Sequence, residues 1–148
     1  MTATNHALTG AIIGLTVANP VGAAIAAFVS HYVCDAIPHY GSRDDRLKSG
    51  YKFMLYLAAD ALLCVLLVAM LAISRPDAWL LTAVCAFLAT SPDLFWINRY
   101  RLALQNKPWR PNLYSRFASK IQWFERPIGA AVEAVWFVAG ASLLMTLI

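Results

Sequence analysis

The chain has 148 residues, of which 60% are hydrophobic and only 14% charged, with a formal net charge of +4. Soluble domains of this size carry about a quarter charged residues, and their large surface would require them. The composition therefore excludes a soluble globule and points to an integral membrane protein. The length fits one domain, residues 1–148, and neither an internal repeat nor a low-complexity segment is visible.

In chain order, Met1 to Cys34 contains no Asp, Glu, Lys or Arg. Because Met1 to Thr9 lacks the basic cluster that precedes a signal peptide's apolar core, no cleavable export signal is expected. Ala7 to Ile37 is apolar but interrupted by Asn19-Pro20, a turn signal in which proline also removes a backbone donor. The expected arrangement is a hairpin of two short segments, Ala7–Ala18 and Pro20–Ile37; the alternative is one Pro-kinked helix from Ala7 to Ser30. Phe53–Ile73 follows. The turn Ser74-Arg75-Pro76-Asp77 joins it to Ala78–Ile97, and the last apolar run is Pro127–Ile148. Each of these three approaches the roughly 20 residues needed to cross a bilayer. The expected fold is all-α: a polytopic transmembrane helix bundle of about five segments, with residues 98–126 as an amphipathic interfacial stretch.

The basic residues are ordered along this pattern. Arg43, Arg46, Lys48 and Lys52 follow the second segment, and Arg99, Arg101, Lys107, Arg110, Arg116, Lys120 and Arg126 follow the fourth. The positive-inside rule places both basic loops in the cytoplasm, at the inner membrane, with the N-terminus on the same side if there are five segments and outside if there are four. Between residues 98 and 125 the bases are interleaved with Tyr100, Trp109, Tyr114, Phe117 and Trp123, with Trp96 just before them. That mixture suits an anionic lipid surface. Nucleic acid could accept it too, but a membrane-embedded neighbour favours lipid.

Ionisable residues inside spans are costly and are functional candidates by default. His31 and Asp35 stand four apart on one helix face, a spacing that lets an imidazole and a carboxylate converge on one divalent metal. Pro38 is expected to end that helix, leaving His39 as a looser second-layer or substrate-contacting group. His6, Asp60, Asp93 and Glu133 join them by depth, since all fall in the cytoplasmic half of a five-segment topology. Gly10 and Gly14 share a face with His6, and Gly129 shares one with Glu133, so close helix approach is possible. Each residue also has a bland reading. His31 and Asp35 could be a simple hydrogen-bonded pair, and His6 an interfacial residue. Asp93 could complement a helix dipole after Ser91-Pro92, and Glu133 could pair with Arg126. Cys64 and Cys85 read as core fillers, as does Cys34 despite its neighbours. Asp44 and Asp45 read as solvated, and Glu125 with Arg126 as an interfacial ion pair.

Asn5-His6, His31-x-x-x-Asp35 with Pro38-His39, and Ser91-Pro92-Asp93 resemble a family of small bacterial inner-membrane proteins described as membrane-bound metal-dependent hydrolases. The resemblance covers roughly the first two-thirds of the chain. It implies a metal site built from His6, His31, Asp35 and Asp93.

The functional expectation is a metal-dependent hydrolase of a lipid or phosphoester at the cytoplasmic membrane face. His6, His31, Asp35, Asp60 and Asp93 are its candidate ligands for a divalent metal, zinc first. His39, Asp60 and Glu133 are its candidate catalytic groups. Membrane lipids are the expected partners, and nucleic acid is not. Two alternatives come from other classes: an ion or proton transporter, against which the outer half offers no polar relay, and a structural membrane subunit in which the polar groups join helices.

Overall fold

A computed structural model describes residues 1–41 and 50–148. The charged residues Arg43, Asp44, Asp45, Arg46 and Lys48 lie outside the described residues. The described chain is helical: α1 (Ala3–Thr16), α2 (Pro20–Ala36), α3 (Tyr51–Ser74), α4 (Trp79–Thr90), a 3-10 turn (Ser91–Trp96), α5 (Ile97–Leu104), α6 (Leu113–Ile121) and α7 (Gly129–Leu147).

The front of the chain is two helices rather than one kinked helix. Asn19 caps α2 through its side-chain oxygen, which accepts from Gly22 N at 2.8 Å, and Pro20 occupies the first turn, where its missing N–H costs nothing. At the other end α2 stops at Ala36, before Pro38. Helix α1 begins at Ala3, four residues before the apolar run that marks it in the sequence, because polar partners from other helices hold its first turn.

Three stretches are long and apolar enough to cross a membrane: Tyr51–Ser74, Trp79–Leu104 and Gly129–Leu147. The middle helical stretch runs on past Ile97, where the apolar run ends in the sequence. Its helix tightens into a 3-10 turn at Ser91-Pro92 and then continues to Leu104. The expected loop 98–126 accordingly holds two helices. Helix α5 ends in a Schellman motif: Asn106 adopts a positive φ of 52°, Lys107 N donates to Leu102 O at 2.9 Å and Asn106 N to Ala103 O at 3.0 Å.

Helix α1 is the hub, packed against α2, α3, α4 and α7. Gly10 and Gly14 let it approach α4 closely. A β-carbon at Gly10 would meet the backbone of Cys85 and stand 2.8 Å from Ala89 Cβ, and one at Gly14 would stand 2.9 Å from Thr82 Cα. Ala7, Leu8, Ala11, Leu71, Ala86 and Leu144 form the buried apolar cluster around it. The outer faces carry Val65, Leu66, Phe87, Val135 and Val138, each more than half exposed. Such a continuous apolar exterior is untenable in water and ordinary in a bilayer.

Helix α7 is registered against the end of the front hairpin. His39 O accepts from Arg126 N at 3.0 Å, His39 pairs in parallel with Glu125, and a β-carbon on Gly129 would overlap the His39 backbone. Gly129→Ala should therefore lower stability by about 1–3 kcal/mol, even though alanine favours helix over glycine by up to about 1 kcal/mol. Thermal unfolding in detergent checks this; an unchanged or raised Tm would show that the register is wrong.

Candidate metal centre

At the N-terminal end of α1 four polar side chains from three parts of the chain converge. His6 comes from α1, His31 and Asp35 from α2, and Asp93 from the 3-10 turn after α4. His6, His31 and Asp35 are buried, at 0%, 2% and 2% exposure. The Asp93 side chain keeps 32% of its surface, so the cluster opens on that side. The two imidazoles stack with centroids 4.1 Å apart.

Asp35 lies between them: its Oδ1 is 3.1 Å from His6 Nε2 and its Oδ2 is 3.3 Å from His31 Nε2. Oδ1 also accepts from the Met1 amino group at 2.6 Å, and Oδ2 from Gln122 Nε2 at 2.9 Å. A carboxylate taken out of water requires such compensation.

The His31 tautomer follows from its partner. Nδ1 lies 2.8 Å from Ala89 O, and a carbonyl only accepts, so Nδ1 carries the proton. The Ala89 carbonyl is in the last turn of α4, where helix carbonyls lack intrahelical partners. His31 Nε2 then faces Asp35 Oδ2 and, at 3.8 Å, Asp93 Oδ1. A lone pair directed at two carboxylates is repulsive unless a proton or a cation sits among them. Metal-binding histidines show the same arrangement, with the distal N–H fixed on a carbonyl and the other nitrogen turned to the ion. His6 adds a second donor set, and its Nδ1 is buried without a partner among the described residues. One ligand atom each from His6, His31 and Asp93 lie within 4.8 Å of one another. Donors sharing one tetrahedral ion stand roughly 3.4 Å apart, given ligand distances of about 2.1 Å, so small side-chain rotations reach that spacing.

The other sequence candidates border this cluster in different employment. Asp60 accepts from Ala3 N at 2.7 Å and Thr4 N at 2.9 Å, and also from the Thr4 hydroxyl. Glu133 accepts from Thr2 N at 3.2 Å and Tyr40 N at 2.9 Å, while its carbonyl accepts from Asn5 Nδ2 at 3.1 Å. Both carboxylates thus hold the start of α1, where helix N–H groups are unsatisfied and the dipole favours negative charge. His39 is buried, donating from Nδ1 to Ile37 O at 2.9 Å, and its backbone forms the seam with residues 125–126. The Cys34 thiol stands 4.0 Å from Thr9 Oγ1. Arg126 stacks over Phe124 at 5.4 Å, and Glu133 has turned to backbone donors instead.

Sequence reasoning missed Gln122, and it placed Tyr114 at a lipid surface without its contacts beside the cluster. Gln122 follows α6 and reaches back to Asp35, a contact that no spacing rule could reveal across 87 residues. The Tyr114 hydroxyl donates to Pro92 O at 3.2 Å, next to Asp93, and stands 3.5 Å from the Tyr32 hydroxyl. Burial, followed by the Tyr32 contact, pushes the Tyr114 phenol above its ordinary value, so it remains a donor at neutral pH. Tyr32 in turn packs edge-on against His31, at 5.3 Å.

Asp60→Ala should cost about 3 kcal/mol, because it strands the buried Thr4 N–H and the half-buried Ala3 N–H, while the Thr4 hydroxyl keeps the residue 60 carbonyl. Asp60→Asn, which keeps one acceptor oxygen, should cost less. Denaturant or thermal unfolding of both variants in detergent separates the two, and equal stability of Asp60→Ala and wild type would contradict the capping geometry.

In comparison with known proteins, the chain matches no protein-family model, no curated protein and no solved structure.

Proposed function

We propose that the chain is a metal-dependent hydrolase of the inner membrane that acts on a lipid or another phosphoester at the cytoplasmic face. The observation that carries this reading is the convergence of His6, His31, Asp35 and Asp93 at one end of an otherwise apolar bundle, with His31 Nε2 facing two carboxylates. Buried ionisable groups in a membrane bundle are expensive, and packing alone would not gather three of them beside a fourth, half-buried one. The resemblance of the Asn5-His6, His31-x-x-x-Asp35 and Ser91-Pro92-Asp93 motifs to membrane-bound hydrolases points the same way.

In this reading His6, His31 and Asp93 hold a divalent cation, zinc first, and Asp35 joins the two imidazoles. The cation would supply an acidified water and polarise the scissile ester. The protein's own part is to fix the donors. Ala89 O sets the His31 tautomer, Gln122 orients Asp35, and Asp60 with Glu133 fixes the start of α1 and therefore His6. Asp93, whose side chain keeps 32% of its surface, would hold the cation on the open side of the cluster. Asp60 and Glu133 are positioning residues here, and His39 supports the seam beside them.

The topology belongs to the same proposal. About five segments cross or enter the bilayer, the basic stretches lie in the cytoplasm, and α5 with α6 rests on the lipid surface. The metal centre, on which the hydrolase reading stands, has a direct test. Protein purified in detergent should retain stoichiometric divalent metal by elemental analysis. His31→Ala and Asp35→Ala should lose it while remaining monodisperse, and Asp60→Asn should keep it despite lower stability. Wild-type protein without metal, or a His6/His31/Asp35 triple alanine variant changed only in stability, would favour interhelical glue and end the hydrolase reading.

A further inference from the structure

Between residues 94 and 124 the sequence has six Lys or Arg and no Asp or Glu. The structure folds part of this stretch around a cavity of about 540 Å³ between the 3-10 turn with α5 on one side and the start of α6 on the other. Trp96, Trp109 and Tyr114 wall it, and Asn98, Arg110 and Ser115 supply its polar lining. The walls are braced. The Arg99 guanidinium lies 5.5 Å from the Trp96 ring and 4.9 Å from the Trp109 ring, so cation–π contact holds the two indoles in place. Tyr114 is anchored on Pro92 O, and Asn112 caps α6 by accepting from Ser115 N at 2.8 Å. Arg110 is exposed and has no carboxylate partner among the described residues. Beside the cavity, Phe95 is 63% exposed and Leu113 86% exposed. In a chain with membrane-spanning helices such rings and aliphatic groups belong in the lipid boundary.

We infer that this cavity is a binding site for the phosphate-bearing head group of an anionic phospholipid, with Arg110 as its cation and Trp96 and Trp109 as its walls. The volume falls within the range of small-molecule sites, about 300–1,000 Å³. The rim is apolar where acyl chains would leave it, and the Arg110 charge, which no carboxylate among the described residues pairs, selects an anion. The inference shares with the proposed function the placement of α5 and α6 at the lipid surface, but it needs neither metal nor hydrolysis.

The test uses the full chain purified in a zwitterionic detergent. It is titrated with dioctanoyl phosphatidylglycerol, dioctanoyl phosphatidylcholine or glycerol phosphate, and binding is read by tryptophan fluorescence and by native mass spectrometry. Phosphatidylglycerol should bind saturably and more tightly than the other two. Arg110→Gln should weaken it at least about fivefold, the effect of one basic group near a lipid phosphate, and Arg110→Lys should restore part of the loss. Lys120→Gln removes the same charge from an exposed site outside the cavity lining and should change affinity less than twofold. Equal losses in Arg110→Gln and Lys120→Gln would mean diffuse surface attraction and overturn the site. Glycerol phosphate binding as tightly as the lipid would overturn the lipid as its source, and absence of saturable binding would overturn both. Metal content read on the same samples keeps the two proposals apart: metal-free protein that still binds phosphatidylglycerol through Arg110 sinks the hydrolase and leaves this site standing.

Discussion

A helix that starts inside a membrane protein has backbone donors with no water to satisfy them. Helix α1 is such a helix, and its first turn is met by Asp60 on α3 and Glu133 on α7, which take the Thr2, Ala3 and Thr4 N–H groups. These bonds tie the hub to both flanking spans. They fix how far α1 slides along the bundle, and so the height at which His6 meets His31 and Asp35. The close approach of α1 to α4 through Gly10 and Gly14 sets the other coordinate, and it brings the end of α4 near enough for Ala89 O to receive His31.

The polar end of the bundle is thus layered by task. Asp60 and Glu133 answer backbone donors, whereas Asp35 and Asp93 face imidazole nitrogens. Carboxylates of equal sequence prominence differ because one pair meets N–H groups already fixed by a helix terminus. The other pair meets side chains whose remaining valence is open. Only the second arrangement leaves donor atoms for an ion or a substrate.

The surface stretch is linked to this layer rather than appended to it. Gln122, just beyond α6, reaches Asp35, and Tyr114, near its start, reaches the carbonyl before Asp93. Helix α6 is therefore tied near both of its ends to the cluster or its immediate neighbour Pro92. The aromatic cavity between α5 and α6 sits on the same side as Tyr114.

Composition alone determined that the chain belongs in a membrane, because too few charges exist to cover a soluble surface. The Asn19-Pro20 break, the helix stop before Pro38 and the shared face of His31 and Asp35 were legible as well, since each depends on residues within one or two turns. Tertiary structure decided the rest. Expected depth grouped six polar residues together, but not which of them share a cluster: the packing of α1 gives Asp60 to the backbone and leaves Asp93 to His31. The helical continuation of the fourth segment to Leu104 was hidden by its basic residues, whose long side chains tolerate a helix near the interface. The contacts of Gln122 and Tyr114 were invisible because their partners lie 87 and 22 residues away. Local geometry is written in local sequence, while contacts between distant segments exist only once the helices have packed.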